Sequence, residues 1–166
     1  MAEHRVRAAR WLAGADPGGL LYGAIVSAAV LVTVSAHAED TDHVILATSV
    51  FLVVYWMAHV YIETLSTQFR GDQKPFASRL RHAAGHEASV LKGGAPAIVV
   101  YAVASLAGAD PSNAAAAAAY FSVALLVVIG YLGAHHAGVR GWPLVGEVAA
   151  AGSFGVLIVL GKTLLH

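Results

Sequence analysis

The order of apolar and polar positions divides the 166-residue chain into runs of about 20 apolar residues, the length at which a helix crosses the hydrocarbon core of a bilayer. Such runs fall at 19–38, 43–66, 90–108, 113–134 and 143–163. They predict an all-α integral membrane protein with five spans. The third run is the shortest and carries Gly93-Gly94-Ala95-Pro96, which predicts a kink near its start. Should Val90 to Gly108 fail to cross, the alternative is four spans. Residues 1–18 form a basic interfacial segment before the first span, and 67–89 form a cytoplasmic amphipathic loop or helix, all within one membrane domain.

Composition agrees with this solvent. Hydrophobic residues make up 58% of the chain and charged residues only 12%, too little polar surface for a soluble fold of this size. The absence of cysteine excludes disulfides, thiolate metal sites and thiol catalysis. A formal net charge of zero supplies no basic footprint, which argues against nucleic acid as a partner.

Basic residues set the expected orientation, because short cytoplasmic loops collect Lys and Arg. With five spans, Arg5, Arg7, Arg10, Arg70, Lys74, Arg79, Arg81, Lys92 and Arg140 share one side, and Lys162 lies near the other. The N-terminus is therefore expected in the cytoplasm and the C-terminus outside, in a multi-pass protein of a bacterial inner (plasma) membrane. The first span reads as a retained anchor, with Trp11 and the arginines at headgroup level.

Small residues predict close helix packing, since van der Waals contact drives association in lipid. Ala114 to Ala119 form an unbroken run, and the last span is rich in Gly and Ala. So small a chain encloses little volume, and a pore or cavity is more readily formed between protomers. A homo-oligomer is the expected assembly. The stretch ending at His59 also resembles the one ending at His135, and each follows a span that starts near a tyrosine, Tyr22 or Tyr101. This pattern would suit a parallel duplication with a fifth helix added.

The chemistry concentrates in the second span. At about 100° per residue, Thr48, Tyr55, Glu63 and Ser66 lie within about 40° of His59, with Leu52 and Trp56 in the same sector, while Leu46, Val50, Val53, Val54 and Met57 lie opposite. A lipid-facing charge at the bilayer centre costs about 2.5–3.5 kcal/mol, so the polar stripe should face protein or water. An imidazole and a carboxylate one turn apart can share a proton or ligate a cation such as Zn²⁺. A satisfied interhelical polar pair that fixes packing is the structural alternative.

Other groups join by depth. His82 and His86 have metal-ligand spacing but share a basic face with Arg79, Arg81 and Lys92, which reads as interfacial, whereas Glu87 falls on the apolar side with Phe76, Leu80 and Leu91. Glu147 follows Pro143 by one turn, where the helix dipole favours a carboxylate. His135 and His136 end the fourth span, and in the outer loop Asp42 is expected to cap the second. Glu87, His135, His136 and Glu147 would thus meet the inner part of the His59 stripe on one leaflet.

These residues support an ion or proton pathway through His59, Glu63, Tyr55, Thr48, Glu87 and Glu147, with His135 and His136 peripheral. The corresponding function is a small oligomeric channel or transporter for protons or cations, with the lipid bilayer as its environment. A non-catalytic accessory or scaffold subunit is the alternative. A membrane metalloenzyme ligating a divalent cation through His59, Glu63, His82 and His86 is the third reading. No HExxH-type catalytic spacing supports it, and the pattern leans away from an enzyme without deciding the point or fixing any cofactor.

Overall fold

A computed structural model describes residues 16–136 except 39 and 72, with the backbone alone at 17, 135 and 136, and scattered positions beyond 137. The described residues form helices and turns: α1 (Pro17–Ser35), α2 (Thr41–Phe69), α3 (Phe76–His86), α4 (Ala88–Leu106) and α5 (Pro111–His136). Four units among them are long and apolar enough to cross a membrane: α1, α2, the nearly continuous α3–α4 segment Phe76–Leu106, and α5. The third apolar run is thus long enough to span. The fifth, at 143–163, lies outside the described residues.

Local chemistry explains where the helices start. The Asp16 carboxylate accepts from the Gly18 and Gly19 N–H groups at 3.1 and 2.9 Å, and Pro17 occupies the first turn, where a missing N–H costs nothing. Asp40, rather than the expected Asp42, caps α2 by accepting from the Asp42 N–H at 3.2 Å. Asp42 instead sits in the first turn, where its charge favours the helix dipole. Before α5 the Asp110 carboxylate accepts from the Asn113 N–H at 3.0 Å, and that backbone bond is the main reason its carboxyl is held below the usual range.

Glycine ends two of the helices. Gly71 and Gly108 take φ values of 84° and 93°, a left-handed conformation that a Cβ disfavours. The Gly108 and Ala109 N–H groups donate to the Ser105 and Ala104 carbonyls at 3.0 and 3.1 Å, satisfying groups the end of α4 would otherwise orphan. The kink predicted around Gly93–Pro96 is not where the helix is interrupted. Pro96 lies inside α4, and the interruption comes earlier, at Glu87, whose ψ of −4° departs from the helical value.

The bundle is organised around α1 and α4, which pack most extensively on each other, with α2 and α5 each touching both. The contact is backbone against backbone. A Cβ at Gly23 would land on the Val90 carbonyl oxygen, and a Cβ at Gly93 on the Leu20 carbonyl oxygen. Gly19, one turn before Gly23, lies against the Ser89 side chain, and Gly94, next to Gly93, against Ser27 and Leu52. The positions Gly19, Gly23 and Ser27, and Ser89, Gly93 and Ala97, repeat every four residues, the spacing that lets two helices approach in lipid.

Toward the α1–α2 and α4–α5 turns the interior becomes apolar. Leu31, Val44, Ala97 and Tyr101 are buried with Ala114, Ala115 and Ala118, so one side of the alanine run lets α5 close onto the pair. On α2, Thr48 and Leu52 are buried, while Leu46, Val50, Val53, Val54 and Met57 are exposed. The side of α2 expected to meet lipid is therefore the exposed one.

Overpacking a close contact typically costs about 1–3 kcal/mol. Gly23→Ala and Gly93→Ala should each lower unfolding stability in bilayer mimetics by that order, whereas Gly133→Ala, with nothing within 4 Å of the added carbon, should be neutral or slightly stabilising. Equal stability of all three variants would remove the backbone contact as the organiser of the bundle.

Candidate functional site

The His59 imidazole projects from α2 among groups from its own helix and from two other chain segments. The Tyr55 ring, one turn back on the same helix, lies 4.6 Å away between centroids at an interplanar angle of 51°. Tyr22 of α1 approaches from across the interface at 6.1 Å and 46°. Neither pair is stacked face to face, which fits the edge-to-face preference of aromatic rings.

The carboxylate facing His59 is Glu87, with Oε2 3.4 Å from Nδ1. Glu87 is the single residue between α3 and α4. At the N-terminus of a helix an acidic side chain usually folds back onto the backbone N–H groups, but Glu87 makes no such cap bond. Its two oxygens go to different imidazoles, because Oε1 lies 3.4 Å from the Nδ1 of His86. The Glu87 side chain is 12% exposed, against 30% for His59 and 57% for His86. A mostly buried carboxylate thus lies between one half-buried and one exposed imidazole.

This arrangement can hold and pass a proton. The N···O separations exceed the 2.7–2.9 Å of a formed charge-assisted hydrogen bond, so a shift of about half an ångström in either side chain converts contact into bond. A carboxylate buried beside imidazoles is stabilised by their protonation and destabilised by their neutralisation. The exposed His86 and the more enclosed His59 give the carboxylate one partner toward solvent and one within the bundle.

Glu63, expected as the partner of His59, is held elsewhere. Arg70 Nη2 donates to its Oε1 at 2.8 Å, and Arg70 Nε donates to the Ser66 carbonyl at 3.3 Å, which fastens this pair to the end of α2. Arg70 is seven residues beyond Glu63 and therefore on the same face, so the spacing that placed Glu63 on the stripe could also have supplied its counter-ion. Tyr22 carries no such signal, since its place beside His59 follows only from the α1–α4 packing.

The remaining candidates are dispersed. Thr48 is buried with Oγ1 lacking a hydrogen-bond partner, about three turns from His59 with Leu52 buried in between. His82 lines a cleft between α2 and α3 rather than the Glu87 site. The four metal candidates are therefore not brought together: His59 and His86 face Glu87, Glu63 faces Arg70, and His82 lies apart. Among the described residues no group of three His, Asp or Glu is placed to hold a metal ion. Glu147 and the side chains of His135 and His136 lie outside the described residues.

Comparisons with protein-family models, with curated proteins and with solved structures returned no match.

Contact between His59 and Glu87 should be visible as energetic coupling. A double-mutant cycle of His59→Gln and Glu87→Gln, read as unfolding stability at a pH where imidazole is charged, should give about 0.5 kcal/mol or more. The same cycle with Glu63→Gln should be near zero, and the reverse ranking would reassign the partner.

Proposed function

We propose that this chain is the protomer of a small multi-pass inner-membrane transporter for protons or cations, with the His59–Glu87–His86 group as the centre that binds and releases the moving charge. The single observation that carries this reading is a mostly buried carboxylate facing two imidazoles inside a bundle of membrane-length helices. Ionisable groups at such a depth are costly and are kept where they bind or move charge.

Protons suit the group better than a divalent cation. Imidazole and carboxylate are both proton donors and acceptors in general acid–base chemistry, whereas no three-ligand arrangement among the described residues supports coordination of a metal. The basic residues Arg70, Lys74, Arg79 and Arg81 around the α2–α3 connection support a cytoplasmic position for the site under the positive-inside rule, in keeping with the proposed five spans and inner N-terminus. Within one protomer the opposite half of the bundle is filled by Leu31, Val44, Ala97, Tyr101 and the buried alanines. A route across the membrane would therefore run between protomers, which supports a homo-oligomer. Glu63, paired with Arg70, serves at the mouth of the pathway rather than at its centre.

Proton flux into liposomes carrying the purified protein tests this directly. Loss of a positioned proton-transfer group should lower flux on the order of 10²-fold in His59→Gln and in Glu87→Gln, while Glu63→Gln retains most of it. Flux unchanged in both of the first two variants would overturn the proposal.

A further inference from the structure

Glu87 meets both of its imidazoles through the same kind of atom. Its Oε2 lies 3.4 Å from Nδ1 of His59, and its Oε1 lies 3.4 Å from Nδ1 of His86. In each ring it is therefore Nδ1, and not Nε2, that faces the carboxylate. The Tyr55 and Tyr22 rings lie beside the His59 imidazole, with centroids 4.6 and 6.1 Å away, and hold its orientation from two helices. Of the neighbouring charged groups, Glu63 is held by Arg70 at 2.8 Å, and Arg79 donates to the Thr64 carbonyl and to Gln68.

An ionised carboxylate has only acceptor sites, whereas a neutral imidazole has one N–H donor and one bare nitrogen. A bare Nδ1 would set a lone pair against each carboxylate oxygen in a setting that screens the repulsion poorly. A protonated Nδ1 instead brings two donors onto one mostly buried anion, and hydrogen bonds to the charged form favour that form. The bond made by one ring nitrogen decides the state of the other. Nε2 is then the bare nitrogen of both neutral rings.

We infer that Glu87 fixes the Nδ1–H tautomer of His59 and of His86, and that protons are taken up and released at Nε2 of each ring. Glu87 is then a positioning residue. Uptake places a proton on the Nε2 lone pair and gives an imidazolium protonated at both nitrogens, whose charge the carboxylate balances. Release returns the neutral ring in the same tautomer, with Glu87 still ionised. One tautomer thus serves both the exposed His86 and the more enclosed His59. The tautomer rests on the contacts alone, while the use of Nε2 in moving protons rests on the transport reading.

Nitrogen-15 NMR of the full chain labelled at histidine, recorded in bilayers above the pH at which imidazole titrates, separates protonated from bare ring nitrogens. Signals are assigned by their loss in His59→Gln and His86→Gln. Both rings should show a protonated Nδ1 and a bare Nε2, with this form in excess by about tenfold or more, the preference given by one hydrogen bond to a charged group. A bare Nδ1 in either ring of the unmutated protein would overturn the assignment. Glu87→Leu removes both acceptors and should abolish the excess. Glu87→Gln turns an NH₂ donor toward one of the two rings, which should switch to a bare Nδ1. Unchanged tautomers in both variants would overturn the role of Glu87. Absence of proton flux together with the expected tautomers would sink the transport reading alone, and flux that requires His59 together with a bare Nδ1 would sink this assignment alone.

Discussion

The molecule depends on the backbone contact between α1 and α4, where Gly23 lies under the Val90 carbonyl and Gly93 under the Leu20 carbonyl. In lipid, apolar side chains gain nothing by leaving solvent for each other, so helices associate through close van der Waals contact. Absence of a side chain is what allows that approach. It also fixes the relative height of the two helices, because a slip of one residue at Gly23 would place the Cβ of Tyr22 or Ala24 under the Val90 carbonyl instead.

The site inherits that register. Glu87 lies three residues before Val90 and just ahead of α4, and Tyr22 adjoins Gly23, so the contact that locks the helices also brings Glu87 and Tyr22 to one depth. His59 arrives there from α2, which packs on both α1 and α4. The interruption at Glu87 completes the geometry. A residue within a continuous helix would lie along its wall, whereas one at a break directs its carboxylate toward two neighbours, His59 and His86. The cleft between α2 and α3 belongs to the same construction, since Arg79 ties α3 to α2 through the Thr64 carbonyl.

Much of the fold was legible because its signals are periodic. Apolar runs mark helices of membrane length, and the α2 wheel separated the buried Thr48 and Leu52 from the exposed Leu46, Val50 and Met57. Glu87 could be picked out as a carboxylate on an apolar face. What it meets could not, because the choice between Glu63 and Glu87 as neighbour of His59 is made by tertiary register, to which a single helix wheel is blind. The glycine contact was half legible: Gly19, Gly23 and Ser27 repeat every four residues, but which helix they approach follows only from the assembled bundle. The interruption at Glu87 carried no comparable signal in the sequence. Pro96 attracts attention as a breaker, yet helices in lipid tolerate proline where neighbouring groups satisfy the freed carbonyl, and a residue without proline's constraint ends α3 instead.

The identity of the carboxylate facing His59 is the centre of this account, and it can be observed without any functional assay. Solid-state NMR of the isotopically labelled protein in bilayers, recorded for through-space correlation between side-chain carboxyl carbons and imidazole nitrogens, should link Glu87 to His59 and leave Glu63 without a correlation to that ring. A His59 correlation to Glu63, with none to Glu87, would contradict it.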